Sequence, residues 1–248
     1  MNIIPAAITG AGIGLVMKFL SGGSPGALSP LKRPGPDVKF DGKQEYRASL
    51  LVPPSYLADD YSPVSPLQNF GGILFPYTPQ ISYDMTANYS TANLQHSNFA
   101  ISSYKNSTIG NFSVSAKFTV QNDNDALFYL ATMHMLRALT KMKYGNDTDA
   151  GSPPPVCRFN AYGDYMIKDV PVVVSNFRTE LPTEVDYYMV DQSLNSYSNA
   201  YSLFGTNFIP TVSSISLTLI PMFSREEQNK FSVDQYLNKK KLKTSGFL

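Results

Sequence analysis

Phe112-Ser113-Val114-Ser115-Ala116-Lys117-Phe118-Thr119-Val120 decides the fold class, because every even position is apolar and every odd one polar. Side chains of a strand alternate between its two faces. The segment therefore predicts a strand that buries Phe112, Val114, Ala116, Phe118 and Val120 and turns Ser113, Ser115, Lys117 and Thr119 toward water. Ile81, Tyr83 and Met85 alternate with Ser82, Asp84 and Thr86 in the same way, and Ile215, Leu217 and Leu219 with Ser214, Ser216 and Thr218. A chain built from one-sided sheets that carry little chemistry reads as a structural part rather than an enzyme.

Working outward, Gly71 to Pro79 is an apolar, strand-like start to the core, closed by prolines. Asn88 to Gly110 is polar and poor in aliphatic residues, which suits a long loop or a protruding hairpin of the kind that makes functional contacts. One helix is predicted, with Asn122 to Asp125 supplying cap and first-turn acids and the chain running to Lys143 before Gly145. Leu127, Leu130, Ala131, His134, Met135, Ala138, Leu139 and Met142 form one stripe at helical spacing, while Phe128, Tyr129, Met133 and Leu136 lie opposite. A helix apolar on two sides is expected to pack on its own sheet and to border a neighbouring subunit. Cys157 to Ala161, Val170 to Arg178 and Tyr187 to Val190 then read as strands of a hairpin-rich meander.

Composition sets the bounds. The 248 residues allow one core with extensions, and 43% hydrophobic residues can fill it. Charged residues make up 16%, below the roughly one quarter usual in soluble domains, so surface hidden against partners is expected. With 16 Tyr, 15 Phe, 18 Pro and 16 Gly, strands and turns are favoured over long helices. A net charge of +1 gives no general case for capturing phosphates. The single cysteine excludes an internal disulfide framework and fits a reducing compartment.

Candidate chemistry weighs little. Asp123 and Asp125 sit where a helix N-terminus favours acids, and Asp147 and Asp149 lack the further oxygen ligands of a calcium loop. His96 and His134, the only histidines, fall in a polar loop and on the helix, which supports neither a metal site nor a catalytic triad. Cys157 alternates with core residues and reads as a buried, inert thiol. No catalytic residue, metal or cofactor is expected.

The ordered set of Gly72-Ile73-Leu74-Phe75-Pro76, an alternating strand, one long helix, Val156 to Gly163, Val170-Pro171-Val172-Val173-Val174, and Phe208-Ile209-Pro210-Thr211 through Ile220-Pro221-Met222 resembles the tail-tube junction, or tube initiator, proteins of contractile-tailed T4-like phage baseplates. The likeness spans about residues 70 to 224. It implies a mainly β (α+β) fold, a β-sandwich or small open barrel with one flanking helix, that assembles into a homo-hexameric ring whose strands line a channel. It further implies a structural virion protein, assembled in the host cytoplasm, that joins the baseplate hub to the tail tube or a second tube initiator, with tape-measure and wedge proteins as further neighbours. DNA would pass through the lumen without specific binding, and no membrane is involved. Ser113, Ser115, Lys117, Thr119, Ser214, Ser216 and Thr218 become the lumen-facing candidates. A tail tube protein proper, a secretion-system tube component and, more distantly, a secreted carbohydrate-binding β-sandwich are the alternatives.

Three parts follow: an N-terminal arm and Pro/Gly-rich linker (residues 1–70), a core (71–224) and a basic tail (225–248). The nearly uncharged stretch from Ile3 to Leu20 reads as an arm packed on another protein, with a processed segment or membrane contact as alternatives. In the tail, Lys239, Lys240, Lys241 and Lys243, with Phe247 as an apolar anchor, are candidates for docking on an acidic partner surface.

Overall fold

The alternation from Phe112 is realised as a strand whose residues are buried and exposed by turns. A computed structural model describes residues 47–57, 62–145, 147, 149–163, 166–190 and 207–237, which lie in the unit Lys32–Leu248. The expected arm (1–22) and the docking candidates Lys239, Lys240, Lys241, Lys243 and Phe247 fall outside the described residues. The strands are β1 (Ser49–Leu51), β2 (Gly72–Leu74), β3 (Gln80–Ser82), β4 (Met85–Ala92), β5 (Ile101–Ile109), β6 (Phe112–Thr119), β7 (Cys157–Ala161), β8 (Ile167–Glu180), β9 (Tyr187–Val190), β10 (Asn207–Pro210) and β11 (Val212–Pro221). A long helix, α1 (Asp123–Leu139), follows β6, and two short ones, α2 (Arg225–Asn229) and α3 (Val233–Leu237), follow β11.

The fold is mainly β. Seven strands form one sheet in the order β2-β1-β7-β8-β11-β6-β3, with two ribbons beside it, β4-β5 and β9-β10, and every pairing antiparallel. The large sheet is strongly curled. Phe112 on β6 and Phe159 on β7 bring their ring centroids to 5.8 Å although β8 and β11 lie between them. Three strand spacings in a flat sheet would hold them about 14 Å apart. Residues 75–79 alone link β2 and β3, the two outermost strands, and Phe75 in that link touches Phe118 at 6.2 Å. The inner side of the curl holds the core: Leu50, Ile73, Phe112, Val114, Phe159, Val170, Val172, Ile215 and Leu219 are fully buried.

The helix starts where the sequence predicts, with the Asn122 side chain accepting the Asp125 backbone N–H. Its buried arc is wider than the predicted stripe. Leu127, Ala131, Met135 and Leu139 are buried, and so are Phe128, Tyr129, Thr132, Met133 and Leu136. His134, expected on the buried stripe, is exposed, and Met142 lies beyond the helix end and is half exposed. A second cover over this wider arc comes from the same chain. A 3-10 helix at Ser65–Phe70 packs there, with Leu67 fully buried and Phe70 edge-on to Phe128 at 5.8 Å.

That 3-10 helix and β1 also move the start of the folded core. Residues up to 70 were expected to be linker, yet β1 sits between β2 and β7, and Ala48 and Leu50 are fully buried. Gly72 makes this packing possible. Its φ is 153°, and a Cβ there would lie 2.2 Å from the Leu50 carbonyl oxygen.

Candidate functional site

The three strands β8, β11 and β6 place the predicted polar residues in one field. Register sets Lys117 opposite Ser214, Ser115 opposite Ser216 and Ser113 opposite Thr218. On the other side of β11, Glu180, Arg178 and Asn176 stand opposite Ser214, Ser216 and Thr218. On the other side of β6, Gln80 and Ser82 of β3 stand opposite Ser115 and Ser113. Directly opposed residues on one face are neighbours, so these form three rows of hydroxyl, amide and mixed-charge groups across four strands. The dry partners behind them, Val114, Ala116, Ile215 and Leu217, are buried, which fixes the register: a one-residue slip would exchange the faces.

Ser113, Ser115, Lys117 and Ser216 are exposed; Ser214 and Thr218 are half-buried. Thr119, at the end of the row, is half-buried and its hydroxyl lies 2.9 Å from that of Tyr77, so it is tied to its own chain. Ser214 donates to Glu180 at 3.2 Å, and Glu180 also pairs with Arg178 at 3.0 Å. A bulge in β8 leaves Ser175 between rows, where its hydroxyl donates to the Thr218 carbonyl at 3.0 Å. Sequence reasoning missed Asn176, Arg178 and Glu180, because Val170-Pro171-Val172-Val173-Val174 is a continuous apolar run that hides the alternation beginning after the bulge.

The sheet around this face is open at both flanks. Among the described residues, β8 pairs with β7 only as far as Val172, so the stretch to Glu180 has β11 on one side alone. The opposite flank ends at the three-residue β3.

The other groups weighed for chemistry have local partners. Asp123 accepts the Tyr188 hydroxyl, which holds that phenol up at about 12, and Asp125 accepts the Gln121 N–H. Asp149 pairs with Lys143 at 3.0 Å, raising the lysine above its ordinary range, and Asp147 accepts the Tyr144 N–H. Cys157 is fully buried, and desolvation pushes its thiol up to about 12. Among the described residues, no three of His, Cys, Asp or Glu gather as metal ligands, and no helix is long and apolar enough to cross a membrane. No protein-family profile matches the chain, and no curated protein matches it either.

Proposed function

We propose that the chain is a ring-forming structural protein of a contractile phage tail, a tube initiator that links the baseplate hub to the tail tube and offers the surface on which the tube grows. The observation that carries this reading is the polar field on β8, β11, β6 and β3 with an open strand edge on each side. Unpaired edges recruit strands, and copies placed side by side around an axis would pair the free part of β8 with the β3 flank of the next copy. In a homo-hexameric ring of this kind the field faces the bore. Serine and threonine keep such a wall hydrated, and Glu180 offsets one of its two cations, Lys117 and Arg178, so each copy adds little net positive charge and DNA is held only weakly.

Electron microscopy of the purified full-length chain, and of tails that contain it, tests the reading: annuli with a central channel are expected. Monomers at every concentration and no annular density in tails would end it. The carbohydrate-binding alternative keeps one supporting feature, the exposed pair Tyr89 and Tyr104 with rings 5.8 Å apart. Saturable binding to a glycan array that is lost in Tyr89→Ala would favour it.

A further inference from the structure

The β4-β5 hairpin prolongs the β3-β6 pair without changing sides. From Gln80 to Ala92 only Tyr83 and Asp84 stand between β3 and β4. Ile81 opposes Val114 on the dry face, the Tyr83 ring lies 5.3 Å from that of the buried Phe112, and Met85 opposes Ile109. The residues between them share the other face: Gln80 and Ser82 of the polar field, then Asp84, Thr86, Asn88 and Ser90. The return strand has one residue more between Ile109 and Ser113 than its partner has between Ser82 and Met85, and Gly110-Asn111 takes up the excess. There the Gly110 N–H donates to the Asp84 carbonyl at 2.7 Å, and the Asp84 carboxylate occupies the space that a Cβ on Gly110 would need.

Beyond this join the polar face becomes a ladder. Thr86 opposes Thr108, the Asn88 amide donates to Asn106 at 3.2 Å, and the hydroxyls of Ser90 and Ser103 lie 2.9 Å apart. The ladder ends where Ala92 opposes Ile101. From Ser82 to Ser90 it advances by about 26 Å at the usual rise of a strand. The reverse face is mixed, with Met85 opposite Ile109, Ala87 opposite Ser107 and Tyr89 opposite Tyr104.

We propose that the polar face of the hairpin is a further stretch of the bore wall, so that the hairpins of one ring form a collar that prolongs the channel past the sheet. The proposal rests on the ring reading and adds Thr86, Asn88, Ser90, Ser103, Asn106 and Thr108 to the lining. Continuity carries it: the ladder runs on from Ser82, which stands beside Ser113 in the field that faces the bore in that reading. The chemistry agrees. No residue of the ladder is charged, so it holds water and offers phosphates no cation, and Asp84 at its base repels them. A ribbon surrounded by bulk water would gain nothing from sorting its amides and paired hydroxyls to one face and Met85, Tyr89, Tyr104 and Ile109 to the other. Two different surroundings account for the sorting.

The test is labelling of single cysteines in the full-length chain with a thiol-reactive gold cluster, added after assembly and read by electron microscopy of the annuli. Thr86 and Ala87 are adjacent, exposed and on opposite faces, so Thr86→Cys and Ala87→Cys differ in the side that carries the label. Cys157 is buried and serves as a silent background. Viewed down the axis, the Thr86→Cys label should lie inside the bore and the Ala87→Cys label outside its wall, and in side view both should lie beyond the sheet. Thr108→Cys and Ser107→Cys repeat the comparison on the return strand, and unchanged thermal unfolding shows that the fold is intact. Rings with the Thr86→Cys and Thr108→Cys labels outside the wall, or with both faces labelled at one radius, refute the collar and leave the ring standing. Absence of rings from the wild type removes both.

Discussion

Replacing Gly72 by alanine tests whether the segment before residue 71 is part of the sheet. The added Cβ would lie 2.2 Å from the Leu50 carbonyl oxygen, 2.9 Å from Leu51 Cα and 3.0 Å from Val52 N, all backbone atoms that cannot rotate aside. At φ 153° the residue is also in a region that favours glycine. Backbone strain of this sort costs about 1–3 kcal/mol. Moving β1 away to relieve the clash would loosen the Leu51–Gly72 and Leu50–Ile73 pairings, at roughly 1 kcal/mol for each hydrogen bond lost. The sum is about 3–5 kcal/mol, which for a chain of this size lowers the midpoint of thermal unfolding by roughly 6–20 °C. Circular dichroism melts of the full-length wild type and Gly72→Ala measure it, with Gly163→Ala as control for the φ strain alone, since Gly163 has φ 90° but a Cβ there meets nothing within 4 Å. A fall no larger for Gly72→Ala than for the control would refute the packing of β1 on β2.

Phe112→Ala should cost about 3–5 kcal/mol, because the ring is fully buried against Phe159 and Tyr83, whereas Ser115→Ala on the opposite face should stay within about 0.5 kcal/mol; equal effects in denaturant titrations would contradict the assignment of faces. Asn122→Ala should lose about 1 kcal/mol and Asn122→Asp most of that should be retained, as read by the same titrations. Cys157, raised from 9.0 to about 12, should react with a thiol reagent at pH 8 about a thousandfold more slowly in the native chain than in urea. Because the unfolded thiol ionises first, this contribution to stability is intact below pH 9.0 and falls as the pH climbs toward 12, a slope that Cys157→Ala should remove.

What could be read in advance followed from periodicity. The sequence alternates cleanly over the nine residues Phe112–Val120 and the six residues Ser214–Leu219, and the structure pairs β6 with β11 in the register that puts Ser113, Ser115 and Lys117 beside Thr218, Ser216 and Ser214. Asn122 and the acids after it marked the start of α1 because capping is local chemistry. β1 escaped notice since three residues cannot display a period and the prolines that follow it suggested a linker, whereas β2 was legible in the apolar run from Gly71; the place of β1 in the sheet depends on contacts with β7, distant in sequence. His134 was misplaced because the 3-10 helix at Ser65–Phe70 draws the buried arc of α1 toward Phe128 and Leu136. The polar contribution of β8 was hidden by the bulge at Ser175, which shifts the alternation by one residue.

Electron microscopy of the purified chain and of assembled tails tests the central claim most directly. Six copies around an open bore, with Ser115, Ser216 and Arg178 on its wall and β8 of one copy against the β3 flank of the next, are the predicted result. A monomer or a closed dimer whose Ser115 face looks into bulk solvent would contradict it.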